Sequence, residues 1–250
     1  MEKITSRGNS VCNHIRKLGK DRKYREDNRE FLCDGLKLLN EAVKSKVDII
    51  TVLTAEKLPF DIPANTRVYC ADEDIIDSLS PLKNSQGLLF TCRINEPYDS
   101  DYRHGNHILL DNIQDPGNVG TIIRSAHAFG IESVILTESS ADIYNPKSVR
   151  ATMGAIFRQR FVRKTLNEIN SIKQNGVKFI GTSNDNSSTD IEQADLRDSV
   201  LILGNEGKGI SDELMALCDK MIKIPLSPDC ESLNVAIAAS IVMWEISRRE

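Results

Sequence analysis

The chain has 250 residues, of which 40% are hydrophobic and 27% charged, and its formal net charge is −4 at pH 7. This length fits one large domain or two of roughly 100–150 residues, with enough apolar residues for a core. The net acidity excludes a nucleic-acid-binding polycation. No segment approaches the roughly 18 apolar residues of a membrane span, and no apolar signal region opens the chain. We therefore expect a soluble cytoplasmic protein without membrane contact.

The first 30 residues are locally basic, with nine Lys/Arg against five acids. They predict one or two short helices. This arm is either an electrostatic footprint for phosphates or a solvated helical face. The candidate contacts to the phosphates of a nucleic acid are Lys17, Arg22, Lys23 and Arg25.

Strand and helix patterns then alternate up to residue 93, which predicts a compact α/β domain over 1–93. Residues 94–106 are polar and aperiodic and are interpreted as a linker. From 107 to 250, apolar runs again alternate with helical patterns, as in a parallel sheet covered on both faces. Its predicted elements include strands at His107–Leu110, Val200–Leu203 and Met221–Ile224, and helices at Thr121–Phe129 and Asp212–Cys218.

The six cysteines form no C-x-x-C pair and have no Cys/His spacing typical of a metal site. We expect reduced thiols and no metal.

Open parallel sheets bind ligands beyond the carboxyl ends of their strands, and unusual residues fall there three times. After strand His107–Leu110 comes a Pro-, Gly- and Asn-rich turn. Asn118 and Gly120 suit the cap of the next helix, and Arg124 follows one turn inside it. An arginine beside a helix start can receive a phosphate or carboxylate. A plain strand–helix turn with a surface arginine is the alternative.

After strand Val200–Leu203 comes Gly204-Asn205-Glu206-Gly207-Lys208-Gly209. Its glycines let the backbone approach a flat ligand closely. The spacing matches neither a phosphate loop nor the dinucleotide fingerprint, so an ATPase or a dehydrogenase is poorly supported.

The third stretch closes the chain. An apolar run ends at Pro225, a polar loop carries Glu231, Ser232 and Asn234, and a helix follows from Val235. Ser232 is the predicted N-cap of that helix. Taken alone, this stretch is equally typical of a capped core helix.

Together the three stretches resemble, in order, the three signature motifs of the SpoU-type (TrmH-like) RNA ribose 2′-O-methyltransferases. The matching positions are Asn112, Pro116, Asn118, Gly120 and Arg124, then Gly204, Glu206, Gly207 and Gly209, then Pro225, Ser232, Leu233 and Asn234. The N-terminal ITSRGNSVCNHIRKL…REFLCDGLKLLNEA resembles the L30e-like substrate-binding domain of many members. Two positions depart from the family: Asp34 stands where glutamate is usual, and His127 stands at a frequently acidic position.

The resemblance implies a C-terminal α/β trefoil-knot domain (SPOUT fold) with a parallel sheet, a smaller N-terminal α/β domain, and a homodimer formed through the C-terminal domain. It implies S-adenosylmethionine as cofactor and RNA as substrate, with ribosomal RNA favoured and transfer RNA open. The implied catalytic group is Arg124, Asn118, Glu206, Ser232 and Asn234. The implied cofactor residues are Thr182, Ser183, Leu203, Gly204, Asn205, Gly207, Ile224 and Leu233. A non-catalytic RNA-binding or ribosome-assembly protein of the same fold is the rival hypothesis.

Overall fold

The computed structural model describes residues 2–82, 86–95, 101–185 and 187–249. Its contacts divide the chain into an N-terminal unit, 1–96 with 142–158, and a C-terminal unit, 97–141 with 159–250. The segment 142–158 thus belongs to the N-terminal unit, although the predicted division places it in the C-terminal domain. Part of the predicted linker, 96–100, lies outside the described residues. No helix within the described ranges is long and apolar enough to cross a bilayer.

The N-terminal unit is built on a five-stranded mixed sheet with strand order β1-β4-β3-β5-β2. Its strands are β1 (Glu2–Ile4), β2 (Glu30–Asp34), β3 (Ile49–Thr54), β4 (Arg67–Ala71) and β5 (Leu88–Arg93). Its helices are α1 (Ser10–Lys20), α2 (Arg22–Asn28), α3 (Leu36–Lys44), α4 (Glu73–Leu79) and, from the 142–158 segment, α6 (Pro146–Ala151). Ile15 and Leu18 of α1 are buried with Leu32 and Leu53 of the sheet, because they recur on one face of the helix.

The C-terminal unit contains a seven-stranded sheet in the order β10-β12-β9-β11-β6-β7-β8, and every pairing is parallel. Its strands are β6 (His107–Leu110), β7 (Ser133–Thr137), β8 (Phe161–Lys164), β9 (Lys178–Thr182), β10 (Thr189–Asp190), β11 (Ser199–Leu203) and β12 (Lys220–Lys223). Its helices are α5 (Pro116–Ala128), α7 (Leu166–Gln174), α8 (Asp212–Met215) and α9 (Val235–Ser247). β6 and β11 are buried along their length, as expected for strands covered on both faces.

In the C-terminal unit, the start of helix α5 and the cap of helix α9 differ from the prediction. Helix α5 begins at Pro116 rather than Thr121, because Asp115 caps it by accepting the N–H groups of Gly117 and Asn118 at 2.6 and 3.1 Å. Proline is well suited to a first helical position, where its missing N–H is not needed. Helix α9 is capped by Asn234, not Ser232, so the predicted cap is wrong by two residues.

Candidate active site

Three loops meet beyond the carboxyl edge of the C-terminal sheet. Loop 111–115 joins β6 to α5, loop 204–211 joins β11 to α8, and loop 224–234 joins β12 to α9. The strands β6 and β11 are neighbours in register, Leu110 opposite Leu203, so the first two loops leave the sheet side by side. The parallel topology thus brings together the three stretches that the sequence singles out.

A relay of side-chain hydrogen bonds connects these three stretches. Asn234 accepts the backbone N–H groups of Ala236 and Ile237 through Oδ1, so its Nδ2 must be the group that faces Asn118. That Nδ2 donates to Asn118 Oδ1 at 3.1 Å, and Asn118 Nδ2 donates to Glu206 Oε1 at 2.9 Å. Because the backbone N–H groups can only donate, the direction of the whole relay is fixed from the start of α9 to the Glu206 carboxylate.

Arg124 lies apart from this relay. Its side chain is exposed on α5, and within the described residues nothing accepts a hydrogen bond from its guanidinium or pairs with it. Among the described residues, Asn118, Glu206 and the third motif therefore make no hydrogen bond or ion pair with its guanidinium. The reason is the early start of α5: six helical residues place Asn118 and Arg124 about 9 Å apart along the axis and about 120° apart around it. A permanent cation is left open to a ligand.

A cavity of ≈ 470 Å³ lies between loops 204–211 and 224–234, next to the end of β9 and the start of α9. All eight predicted cofactor residues line it: Thr182, Ser183, Leu203, Gly204, Asn205, Gly207, Ile224 and Leu233. Glu206 and Ser232 line it as well, so the cavity borders two of the predicted catalytic residues. Its apolar wall is completed by side chains that the prediction missed, Val235, Ala238 and Val242 of α9 among them. Their helical spacing, at intervals of three and four residues, was the signal available for them.

Loop 204–211 is closed on itself. The backbones of Asn205 and Gly209 exchange two hydrogen bonds of 2.8 and 2.9 Å, and Asn205 Oδ1 accepts the N–H groups of Gly207 and Lys208, both at 3.0 Å. A Cβ on Gly204 would come within 2.1 Å of the Gly209 carbonyl carbon. Glycine at 204 is therefore required by the closure of the loop.

Loop 224–234 is fixed near its end. Asn184 Nδ2 donates to the carbonyl of Glu231 at 2.8 Å, a contact that the sequence did not reveal because 47 residues separate the two. Ser232 is exposed and lines the cavity with its hydroxyl unengaged by any described residue. Ser232 therefore lines the cavity and does not cap helix α9. Thr182 differs, since its hydroxyl donates to the Ile202 carbonyl at 3.0 Å.

The four predicted RNA contacts divide by burial. Lys17, Arg22 and Lys23 are exposed on α1 and α2. Lys17 lies 5.2 Å from the ring centroid of Tyr24, and Arg22 pairs with Glu26 at 2.8 Å.

Arg25, in contrast, is only 3% exposed. It donates to Asp142 Oδ2 at 2.5 and 3.1 Å and to the Leu18 carbonyl at 2.6 Å. The prediction that Arg25 contacts RNA is wrong, because its guanidinium is buried and bonds segment 142–158 to the rest of the N-terminal unit. The sequence could not reveal this partner at a distance of 117 residues.

Neither of the two family departures enters the candidate site. Asp34 is buried in the N-terminal unit, where its carboxylate accepts the Ser80 hydroxyl at 2.6 Å. Burial raises its pKa despite this bond. His127 is exposed near the end of α5. Within the described residues, no group of three or more His, Cys, Asp or Glu side chains could hold a metal ion.

The geometry defines a class of protein: a parallel α/β fold with a small-molecule cavity beyond its carboxyl edge. The cavity is bordered by Glu206 of a linked Glu–Asn–Asn group, and an arginine is exposed on the neighbouring helix α5. Comparison with known families gives the particular one. Residues 105–244 match the SpoU rRNA Methylase family, and residues 9–89 match the MRM3-like substrate binding domain. The chain belongs to the SpoU rRNA methylase family, which confirms the predicted family.

Known relatives and solved structures match this chain over nearly its whole length. A 23S rRNA (guanosine(2553)-2′-O)-methyltransferase of Bacillus subtilis (strain 168) is 33% identical over 249 residues, covering 98% of this chain and 99% of its own. The structure of an AdoMet-bound rRNA methyltransferase from Sinorhizobium meliloti matches with a TM-score of 0.85 and 28% identity, over 99% and 97% of the two chains. The SpoU methyltransferase AviRb from Streptomyces viridochromogenes, in complex with AdoMet, gives 0.84 and 26% over 96% and 98%. The predicted fold class is confirmed.

Proposed function

We propose that this protein transfers a methyl group from S-adenosylmethionine to a ribose 2′-hydroxyl of structured RNA, with ribosomal RNA as the favoured substrate. The observation that carries the proposal is the convergence of three sequence stretches, in which Asn118, Glu206 and Asn234 are bonded in one relay beside a ≈ 470 Å³ cavity. Relatives named as 23S rRNA 2′-O-methyltransferases support the reaction and the substrate class. Relatives named tRNA/rRNA methyltransferases keep transfer RNA as the alternative substrate.

The residues of the cavity fit S-adenosylmethionine. The volume lies in the range of roughly 300–1,000 Å³ that is usual for small-molecule sites. Leu203, Leu233 and Val242 offer apolar surface for a flat purine, and the carboxylates of Glu206 and Glu231 suit a cationic ligand. The Ser183 hydroxyl and the backbone of loop 204–209 offer polar groups for a ribose. When bound, S-adenosylmethionine supplies an electrophilic methyl on a sulfonium and a neutral thioether leaving group.

The side chains of the site align the second reactant. Arg124 binds an RNA phosphate near the target and stabilises the negative charge that develops on the 2′-oxygen as its proton passes to water. It cannot itself accept that proton, since a guanidinium stays protonated in proteins. The relay from Asn234 to Glu206 keeps the loops of the site in register, and Ser232 presents a free hydroxyl to the ligand. Such alignment can supply several kcal/mol, within the roughly 7–11 kcal/mol known for ideal orientation.

The two parts of the chain are proposed to have separate functions, RNA binding and catalysis. Residues 1–93 recruit RNA through the exposed cations of α1 and α2, and residues 107–250 bind the cofactor and carry the chemistry. Lys17, Arg22 and Lys23 remain the proposed RNA contacts. The cytoplasm is the proposed compartment, where the six free cysteines would remain reduced.

A homodimer through the C-terminal unit is also proposed. Ile237 and Trp244 on α9 are 53% and 52% exposed. With Thr121 and Ile241 they line an apolar groove of ≈ 360 Å³ that reaches Asn118 and Asn234. Large apolar side chains in such a patch are typical of an interface. Analytical ultracentrifugation of the wild type and Trp244→Asp should give a dimer and a monomer; a monomeric wild type would contradict the dimer.

The reaction is tested by incubating the protein with methyl-labelled S-adenosylmethionine and unmodified bacterial RNA. Label in an alkali-resistant 2′-O-methyl linkage is the expected product, because only a ribose methyl blocks alkaline cleavage. Label in a base would overturn the 2′-O assignment. A protein that binds RNA but no S-adenosylmethionine would instead support a non-catalytic RNA-binding role.

A further inference from the structure

Asp111, directly after β6, is a buried carboxylate that belongs to none of the roles proposed above. It is 5% exposed and does not line the cavity. Its Oδ2 accepts the backbone N–H of Ser211 at 2.7 Å, 100 residues further along the chain. Ser211 is the last residue of loop 204–211, the loop that forms one wall of the cavity. The Asp111 carboxylate therefore holds the C-terminal end of this loop by a hydrogen bond.

The near end of the same loop is held by the same short segment. The N–H of Asp111 donates to the Leu203 carbonyl at 2.9 Å, where β11 ends. One residue later, the carbonyl of Asn112 accepts Asn205 Nδ2 at 2.8 Å. Asp111 and Asn112 are thus bonded to both ends of loop 204–211: to Leu203 and Asn205 where it begins and to Ser211 where it ends.

The segment that grips the loop is itself anchored from behind. Asn112 has a positive φ of 55°, a left-handed conformation that asparagine tolerates better than most residues. Its N–H donates to Thr137 Oγ1 at 2.9 Å, and the N–H of Ile113 donates to Ser140 Oγ at 3.2 Å. The end of β7 and the loop after it are in turn fixed by Arg163. Its guanidinium donates to the carbonyls of Thr137, Glu138, Ser140 and Ala141 at 2.7–3.0 Å.

The two partners therefore differ in rigidity. Asp111 is buried and its neighbours are bonded on the far side, whereas residues 206–209 of the loop are all exposed. Three glycines, at 204, 207 and 209, give that loop more conformations to lose than any other stretch of six residues at this edge. A fixed carboxylate that holds the exit of a glycine-rich loop reduces this freedom before a ligand arrives.

On these grounds we infer that Asp111 is a positioning residue for the cofactor, which acts by holding loop 204–211 in its binding conformation through the Ser211 N–H. The inference rests on the proposed function, since it assigns the loop to S-adenosylmethionine. Asp111 touches neither reactant. Its loss should weaken cofactor binding and leave the chemical step and RNA binding largely unchanged.

The test compares Asp111→Ala with Asp111→Asn, which keeps an oxygen acceptor for the Ser211 N–H. Isothermal titration should give a dissociation constant for S-adenosylmethionine about tenfold higher in D111A, the effect of losing one charge-assisted hydrogen bond, and within about threefold of wild type in D111N. KM for S-adenosylmethionine should rise in parallel, while kcat at saturation and RNA affinity stay within about twofold.

Ser133→Ala is the matched control for general destabilisation. Ser133 begins the neighbouring strand β7, and its hydroxyl lies 2.8 Å from Nδ1 of His107, at the end of β6 opposite Asp111. The substitution therefore removes a buried hydrogen bond that is remote from the cofactor loop. Thermal melting of all variants shows whether D111A remains folded. S133A should lower the melting temperature without changing the cofactor affinity.

Ser211→Pro tests the same bond from its other side. Proline lacks the N–H, and its ring matches the φ of −61° at this position. If Asp111 acts through Ser211, S211P should weaken cofactor binding in the wild-type background and add little in the D111A background.

The outcomes separate the inference from the function on which it rests. A wild type that binds S-adenosylmethionine together with a D111A that binds it equally well would overturn the inference alone. Equal losses of affinity in D111A and S133A would also overturn it, since both would then reflect stability. A folded wild type that binds no S-adenosylmethionine would overturn the proposed function and the inference with it.

Discussion

At the carboxyl edge of the C-terminal sheet, polar side chains bond to one another and leave Arg124 exposed without a described partner. On α2 of the N-terminal unit, in contrast, Arg25 is buried and donates to Asp142 and to the Leu18 carbonyl. Arg124 was predicted as a catalytic residue and Arg25 as an RNA contact. They differ because Arg124 belongs to a pattern spread over three segments, while Arg25 was selected only for lying among other cations. A dispersed pattern that folding reunites is stronger support for a site than a local excess of charge.

The largest expected effect on stability comes from removing the Arg25 side chain. Arg25→Ala leaves Asp142 partly buried without its partner and should lower the free energy of unfolding by about 3 kcal/mol. Urea denaturation of the wild type and the variant measures it. Arg22→Ala is the control, because Arg22 is exposed and pairs only with the exposed Glu26. It should change the free energy of unfolding by less than about 0.5 kcal/mol. Equal effects in both variants would contradict the structural role of Arg25.

A smaller effect sharpens the account of the C-terminal relay. Glu206→Ala removes the acceptor of the Asn118 amide and should lower kcat/KM for methyl transfer about tenfold. Glu206→Gln retains an oxygen acceptor and should stay within about threefold of wild type. Steady-state kinetics with labelled cofactor gives both values, and the exposed neighbour Lys208→Ala provides the control. A Gln variant as damaged as the Ala variant would show that the negative charge, rather than the relay, is what matters.

The remaining cations of the arm should have a modest effect on RNA alone. Replacing Lys17 and Lys23 by alanine should weaken RNA binding several-fold near physiological salt and reduce the slope of log K against log salt by about 1–2. Filter binding across a salt series measures this. Lys44 and Lys46, also exposed in the N-terminal unit, provide a double variant with the same change in charge. If both double variants bind RNA alike, the arm is only a solvated face.

The smallest effect concerns pH and the stability of the N-terminal unit. Burial opposes the ionisation of Glu30, but its 3.1 Å contact with His14 Nε2 helps hold the pKa of the carboxyl below its usual range. Because the folded value lies below the unfolded value of roughly 4.3, this stability is present above that pH and is lost as pH falls through the folded pKa. As the pH falls from 6 through the folded pKa of Glu30, the Glu30→Gln variant should lose less of its free energy of unfolding than the wild type in urea denaturation. An identical loss in both would contradict the linkage.

The sequence predicted the architecture and the lining of the cavity well, and physical reasons explain the rest. Strand positions followed from apolar runs, and parallel topology then had to gather the residues that follow those strands at one edge. The start of α5 was missed because Pro116 and Gly117 suggested a loop, although Asp115 before a proline is a helix-start signal. The displaced start changed the relation of Asn118 to Arg124.

Long-range pairs were beyond reach for a different reason. Arg25 with Asp142, Asp111 with Ser211 and Asn184 with Glu231 are contacts between residues far apart in sequence. No periodicity or spacing records such a partner, since each member alone is an ordinary polar residue. The membership of segment 142–158 in the N-terminal unit depends on contacts of this kind.

The most direct test of the account is single-turnover methyl transfer to RNA by Arg124→Ala and Arg25→Ala, at a temperature where melting shows both to be folded. Saturating labelled S-adenosylmethionine removes any difference in cofactor affinity. We predict that R124A is slower than wild type by on the order of 100-fold, as for loss of a charge-stabilising donor, and that R25A is within about threefold. An R124A rate close to wild type, or equal losses in the two variants, would contradict the assignment of Arg124 to the reaction.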